Sequence, residues 1–350
     1  MSTPKRKLRL AMVGGGTGAF IGEVHRKAAR MDGQADWVAG AFSSDPEKSR
    51  ATGAELMMDP RRTYPTYTDL IREEATLPAH ERIDAVAIVT PNHLHAGPAL
   101  LAFDHGFHVI VDKPMAFSLE EAVQMQEAAL QTDRVLAVTH TYSGYPMVKE
   151  MRHRIARGDL GTLRKVYVEY PQGWLTLPLE QSGQKQASWR TDPERSGAGG
   201  SVGDIGTHAA HLAEYVTGRT LTHLCAELDT HVPGRRLDDD AAALVRFTGG
   251  VTGVLLATQV AAGEENTLKL RVYGEKGGLQ WAHDDPNSLL WKQLDQPVQV
   301  LRAGTGYLCE AAAAACRTPA GHPEGYLEAF ANLYVEFFRA IRDREDGRDG

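Results

Sequence analysis

Short runs of Val, Ile, Leu and Ala alternate with helix-like stretches over residues 7–139: "KLRLAMVG", "FIGEVHRKAARM", "DWVAGAF", "DAVAIVT", "ALLAFDHG", "HVIVDKP" and "RVLAVTH". Strands that are apolar throughout need cover on both faces, and strands separated by helices pair in parallel. The pattern predicts a Rossmann-type doubly wound parallel sheet. Beyond residue 140 the texture changes. "TLRKVYVEY", "THLCAELDTHV", "DAAALVRF", "VTGVLLATQVA", "TLKLRVYG" and "GLQWAH" follow one another, separated by turn signals such as Thr248-Gly249-Gly250. Several alternate apolar and polar positions, as an antiparallel sheet with one covered face requires. The chain therefore reads as α/β, with a first domain over 1–140. An α+β domain with a large, mostly antiparallel sheet is expected over 141–350. Inside it, Pro171 to Gly203 reads as a long irregular connection of the kind that lines sites. "EGYLEAFANLYVEFFRAIRDRE" has apolar residues at helical spacing and is assigned to the second domain.

A chain of 350 residues, 42% of them hydrophobic, suits two domains. Its net charge of −7 is spread over interspersed acids and bases, which leaves no basic face for nucleic acid or an anionic membrane. A small-molecule partner is expected. The apolar run in "MSTPKRKLRLAMVGGG" is too short for a signal peptide and reads as a strand. Nowhere do roughly 18 apolar residues run together, as a membrane span would need. Cys225, Cys309 and Cys316 are widely spaced, which speaks against a disulfide framework or a Cys-based zinc module and for a cytoplasmic setting.

In "RLAMVGGGTGAFIGEVHRKAA", Gly14, Gly16 and Ala19 fall in a G-x-G-x-x-A register between a strand and a helix. The first glycine allows the tight turn and the second lets the backbone approach a pyrophosphate at the helix N-terminus. Gly18 and Gly22 leave the register open, with Thr17, Gly18 or Phe20 nearest the phosphates. An acidic residue at the end of the second strand would hold the ribose of NAD. Ser43 and Ser44 stand there, and Asp45 follows. Lys48 and Arg50 suit a 2′-phosphate, so NAD is expected with NADP as the alternative. "IVTPNHLHAG" after the fourth strand and "VIVDKPMAF" after the fifth lie at the carboxyl edge of the sheet, where doubly wound folds bind ligands.

"VGDIGTHAAHL" places Asp204, His208 and His211 within eight positions. A metal site, a proton-transfer site and the wet face of a helix all suit that spacing. Taken together, Thr90-Pro91-Asn92 with His95 three positions on, Asp112-Lys113-Pro114, and Gly203-Asp204-Ile205-Gly206-Thr207-His208 resemble the glucose-fructose oxidoreductase and inositol dehydrogenase (Gfo/Idh/MocA) family. Its usual motifs are Glu-Lys-Pro, present here with Asp112 for Glu, and Gly-Asp-x-Gly-x-His, present intact. The resemblance covers nearly the whole chain. It implies a metal-free two-domain enzyme that passes hydride between a nicotinamide and a sugar or cyclitol carbon. Lys113, Asp204 and His208 would face the reacting hydroxyl, and Thr90, Asn92, His95 and Lys113 would lie along the cofactor.

Chemistry supports those roles. Oxidising a secondary alcohol needs a hydride acceptor and a base for the hydroxyl proton. Imidazole titrates near neutrality, so His208 can serve. Lys113 can steady a developing alkoxide; which of the two takes the proton stays open. Asp204, four positions before His208, can orient the substrate, favour a protonated imidazole, or cap the helix. His211 reads as a supporting residue. Tyr142, Gln172, Trp174, Trp189 and Arg190 offer the aromatic faces and donors that suit a polyhydroxylated ring, though both tryptophans equally suit a core. The resemblance also implies a homodimer or homotetramer through the outer sheet face of "VTGVLLATQVAA". Family members continue past the long C-terminal helix with another helix and a closing strand, whereas this chain stops at "DREDGRDG". Two other activities suit the same fold: an NAD-retaining, redox-neutral glycosidase or lyase, and a cofactor-sensing regulator.

Overall fold

A computed structural model describes residues 6–348; residues 1–5, the lead of the stretch considered as a signal peptide, and the last two residues lie outside it. Five strands, β1 (Leu8–Gly14), β2 (Ala35–Ala41), β3 (Ala85–Val89), β4 (His108–Val111) and β5 (Leu136–Val138), pair in parallel in the order β2-β1-β3-β4-β5. Every residue of β3 and β4 is buried, as their unbroken apolar sequences demand. Helices α1 (Phe20–Arg30), α2 (Pro46–Glu55), α3 (Tyr67–Thr76), α4 (Ala96–Asp104) and α5 (Leu119–Gln131) connect them. The strand order reverses between β1 and β3. The glycine loop after β1 and the Thr90 loop after β3 therefore flank the switch point, where such sheets take their ligands.

The motif loops follow the third and fourth strands, one earlier than the pattern suggested. Between β2 and β3 the chain folds into α2 and α3, whose Leu70 and Ile71 join the core of the sheet, and Gly40 and Thr63 form an isolated parallel bridge.

The second sheet has eight strands: β6 (Leu163–Pro171), β7 (Leu221–Asp229), β8 (Asp240–Phe247), β9 (Thr252–Thr258), β10 (Lys269–Gly274), β11 (Gly277–Ala282), β12 (Ser288–Gln293) and β13 (Gln299–Arg302). Their order is β13-β12-β11-β10-β6-β9-β8-β7, antiparallel except for β6 against β9. Helices α6 (Pro146–Ala156) and α9 (Thr207–Thr217) cover its inner face. Val148, Met151, Leu212 and Val216 share a core there with Val166, Val168, Leu270, Val272 and Trp281. The segment expected to be irregular contains two short helices, α7 (Lys185–Arg190) and α8 (Pro193–Ser196), each opened by a Gln or Asp cap. After β13 come α10 (Glu310–Ala314) and the long α11 (Tyr326–Glu345).

The chain divides into two compact units, one of residues up to Thr139 together with those from Phe330 onward, the other His140–Ala329. The assignment of the terminal helix to the second domain is thereby corrected. Phe330 and Tyr334 pack edge-on around His25 of α1, with ring centroids 4.7 and 5.8 Å away, so its aromatic stripe fills the core of the nucleotide unit.

Candidate active site

In the nucleotide unit, β1 ends in a glycine run whose first two members hold φ of +81° and +67°, where a side chain would be strained. A Cβ on Gly16 would lie 2.8 Å from the Phe42 carbonyl oxygen, and one on Gly22 would lie 2.5 Å from Gly15 Cα. The close helix-to-strand approach that the motif gives to its third position is thus made by Gly22. Ala19 is instead the N-cap residue of α1. No side chain caps α1, whereas Asp45, Thr66 and Ser118 cap α2, α3 and α5. Uncapped N–H groups at the positive end of a helix dipole suit an anion, and the glycine cradle lets a pyrophosphate approach. The residues present fit a dinucleotide.

Around that loop the expected contacts are unequal. The Thr17 hydroxyl donates to Glu55 at 2.7 Å and its backbone N–H donates to Thr52 Oγ1, so this side chain ties the loop to α2. Gly18 is open and Phe20 exposed. The Asp45 carboxylate accepts from the N–H groups of Glu47 and Lys48, and Ser43 Oγ accepts from the Asp45 N–H. Asp45 is thus committed as a cap, and Ser44 is exposed at the strand end.

At the carboxyl edge, Thr90 Oγ1 donates to the Leu94 carbonyl at 3.0 Å, and Asn92 is buried. His95, expected along the cofactor, is buried completely, and this is a correction. Its two ring nitrogens lie 2.8 Å from the Thr90 carbonyl oxygen and 2.9 Å from that of Pro114, so the ring packs between the two motif loops and, when neutral, donates to one of them. Burial holds its pKa below the usual value, against the pull of those carbonyls and of Asp112. Asp112 accepts the Thr139 hydroxyl at 2.7 Å and lies 3.8 Å from His25 Nε2. Burial alone would raise the Asp112 pKa. The histidine, the Lys113 charge and the threonine outweigh it and hold the group far below the usual carboxylate range.

In the second unit the Gly-Asp-x-Gly-x-His segment is not a plain α-helix. Val202–Gly206 form a π-helical turn that runs into α9, a distortion that recurs at functional sites. Asp204 does not cap it. Asp238, from the loop before β8, accepts from Gly200 N at 2.6 Å, Ser201 Oγ at 2.7 Å and Val202 N at 2.8 Å. That leaves the Asp204 carboxylate to accept from Arg190 Nε at 3.2 Å and Gln259 Nε2 at 2.9 Å. Arg190 in turn stacks over Trp189 at 4.2 Å and donates to Gln186.

His208 is buried, and Tyr142 presents its ring edge-on to it at 5.0 Å between centroids. The Tyr142 hydroxyl pairs with that of Tyr170 and accepts from Asn266 Nδ2 at 3.2 Å. Asn266 Oδ1 takes donors from Tyr170 and from Gln172, each at 2.6 Å, and Gln172 Oε1 accepts the Trp174 indole N–H at 3.0 Å. Burial raises both phenol pKa values, so the hydroxyls stay protonated and able to donate. His283 bridges Tyr145 and the Asn266 carbonyl, and burial lowers its pKa. His211 stacks flat on His140 at 4.1 Å. Burial and the nearby Arg152 push its pKa down to about 4.

The structure thus brings Asp204, Arg190, Gln172, Trp174, Tyr142 and His208 into one region, with Trp189 backing Arg190. Asn266, Gln259, Tyr170 and His283 join them without having been singled out. Tyr170 and Gln259 lie at the ends of β6 and β9, the parallel pair, and polar residues closing two apolar strands were the signal available. Among the described residues, the one group of three or more His, Cys, Asp or Glu with ligand atoms within 4.8 Å of one another is Asp229, His231 and Asp240, mostly exposed.

A switch-point glycine cradle beside an uncapped helix, with an α+β unit carrying a buried histidine and a network of amides and hydroxyls, defines the class of two-unit nucleotide-dependent oxidoreductases. Comparison with known proteins makes this specific. A model of the oxidoreductase family, NAD-binding Rossmann fold, matches residues 8–140, and one of the GFO/IDH/MocA C-terminal domain matches residues 148–280. The chain belongs to the Gfo/Idh/MocA oxidoreductase family, and its first unit is an NAD-binding Rossmann domain. It is 32% identical to the uncharacterized oxidoreductase YfiI of Bacillus subtilis, over 97% of this chain and 88% of that protein. It is 27% identical to levoglucosan dehydrogenase of Pseudarthrobacter phenanthrenivorans, over 81% of this chain and 76% of that one. An inositol dehydrogenase homologue from Azotobacter vinelandii, solved with NADH and myo-inositol, superposes with a TM-score of 0.91 at 38% identity, covering 98% of this chain and 88% of that one.

Proposed function

We propose that the protein oxidises a secondary hydroxyl of a cyclitol or sugar with NAD as the partner. The observation that carries this is the Asp204 carboxylate, held by Arg190 and Gln259 on the same helical segment as His208 and ringed by the amides and hydroxyls of Gln172, Asn266, Tyr142 and Tyr170. Such a surface matches a ring carrying many hydroxyls. The myo-inositol bound by the Azotobacter homologue and the activity named for levoglucosan dehydrogenase support the same substrate class.

When bound, NAD supplies the hydride acceptor. His208 takes the hydroxyl proton as the C–H electron pair leaves, and Lys113 stabilises the developing alkoxide. Asp204 accepts a hydrogen bond from a substrate hydroxyl and sets its orientation. Thr90 and Asn92 would lie along the cofactor, and the Gly14–Phe20 loop would hold its phosphates. With Ser43 and Ser44 at the strand end, the ribose is held by hydroxyls, and NAD is preferred over NADP. A second copy of the chain covers the outer face of β8 and β9, where Leu244 is 65% and Leu256 38% exposed beside Val254. A monomer in light scattering overturns that assembly.

The test is a panel of inositols, hexoses, anhydrosugars and glycosides, with NAD and NADP offered separately while reduced nicotinamide is followed. NADH accumulating with at least one polyol supports the reading. Release of a leaving group without net NADH would instead identify the redox-neutral lyase, and unchanged turnover in Lys113→Ala would remove the assigned role of that lysine.

A further inference from the structure

We propose that Tyr334, His25 and Asp112 form a buried anchor that positions Lys113 for reaction and ties it to the helix of the glycine loop. His25 lies in the middle of α1, is fully buried, and sits 2.7 Å through Nδ1 from the Tyr334 hydroxyl. Its Nε2 faces Asp112 Oδ1 at 3.8 Å, and the Thr139 hydroxyl donates to the same oxygen at 2.7 Å. The Asp112 backbone N–H donates to the Ile88 carbonyl at 2.9 Å. On the other side of Lys113, the Pro114 carbonyl faces His95. Each neighbour of the lysine therefore faces a buried histidine.

A carboxylate facing Nε2 calls for a proton on that nitrogen, which leaves Nδ1 to accept the Tyr334 hydroxyl. The Tyr334 phenol stays protonated, since burial and the Asp112 charge both raise its pKa. In this arrangement the Tyr334 hydroxyl donates to Nδ1, while Nε2 faces the Asp112 carboxylate at 3.8 Å, a charge contact without a hydrogen bond. The place of α1 in the chain gives the anchor its reach: the helix begins at Phe20, next to the phosphate cradle, and His25 stands one to two turns on.

The proposal rests on the dehydrogenase reading, and its test separates the two. Asp112→Asn is expected to lower kcat about tenfold to a hundredfold, with NAD affinity by calorimetry and the melting temperature close to wild type. Asp112→Glu, which keeps the charge, is expected to recover most of that turnover. Tyr334→Phe, a near-isosteric change, should lower kcat in the same direction and decides the matter if Asp112→Asn does not fold. In ¹⁵N–¹H correlation spectra of the wild-type protein, His25 should carry its proton on Nε2. A ring with a bare Nε2 overturns the anchor whatever the activity, and so does unchanged turnover in Asp112→Asn or Tyr334→Phe. NAD affinity falling by the same factor as kcat overturns it as well. A wild-type protein that oxidises no polyol sinks the dehydrogenase reading first, and the anchor's catalytic role with it.

Discussion

Asp238 accepts the Ser201 hydroxyl at 2.7 Å and, with Gly200 N and Val202 N also bound to it, closes the start of the helical segment that carries Asp204. A helix start leaves N–H groups that some acceptor must satisfy. Because a residue far along the chain supplies it, Asp204 keeps its carboxylate for other partners. Asp238→Ala should cost about 1–3 kcal/mol of unfolding free energy, the range for a lost cap with buried donors left behind. Urea unfolding measures it, and the polyol KM should rise at the same time because Asp204 loses its fixed position. An unchanged unfolding midpoint would mean that water replaces the cap at no cost.

Arg190 and Gln259 hold the same oxygen of Asp204, Oδ2, which fixes the orientation of the carboxylate. Arg190 and Asp204 have side chains 23% and 13% exposed, and removing one member of so sheltered a pair leaves the other charge poorly matched. Arg190→Ala should raise the polyol KM about tenfold, the effect of a lost charge-assisted hydrogen bond. NAD affinity should not change. Steady-state kinetics with calorimetric NAD binding reads both; a weaker NAD affinity with unchanged KM would place Arg190 on the cofactor instead.

The sheet of the nucleotide unit was legible because its strands are continuous apolar runs, and burial on both faces writes itself into composition. Asp204 and His208 share one short motif, and the structure brings both into the polar region of the second unit. Asn266, Gln259 and His283 were not, since each acts through a partner from another strand or loop and no local spacing carries that pairing. His95 misled for a related reason: a histidine near a ligand-binding edge looks like a contact residue until its two ring nitrogens are seen on carbonyls. β12 and β13 escaped notice because strands this short, mixing Lys292 and Arg302 with apolar residues, show little alternation.

Gly22 and Gly18 lie in the same glycine-rich stretch but for different reasons. A Cβ at Gly22 would meet the Gly15 carbonyl oxygen at 2.3 Å, backbone that cannot turn aside, while Gly18 has open space around it and φ of +80°. Gly22→Ala should therefore push α1 off β1 and weaken NAD binding more than tenfold, a penalty typical of a misplaced phosphate cradle. Gly18→Ala should cost only about 1 kcal/mol of stability, the backbone strain of a left-handed alanine. Calorimetric NAD titration of the two variants, alongside their melting curves, distinguishes steric from conformational origin. Equal NAD affinities would refute the packing role of Gly22.

Acid sensitivity follows from buried histidines outside the site. His108 opens β4, is 5% exposed, and accepts the Val135 N–H on Nδ1 at 3.0 Å. Burial, helped by Arg134, lowers its pKa to about 4, below the roughly 6.5 of an unfolded chain. Between those values the unfolded state binds the extra proton, so stability falls as pH drops through that window and levels off only below it. His211, lowered to about 4 by burial and Arg152, adds to the same slope. His108→Asn keeps an acceptor for the Val135 N–H and removes the titration. Relative to wild type, it should lose less stability between about pH 7 and about pH 4, by at most roughly 3 kcal/mol. Urea unfolding across that range reads the difference, and parallel stability profiles for the two proteins would show that His108 is not the group responsible.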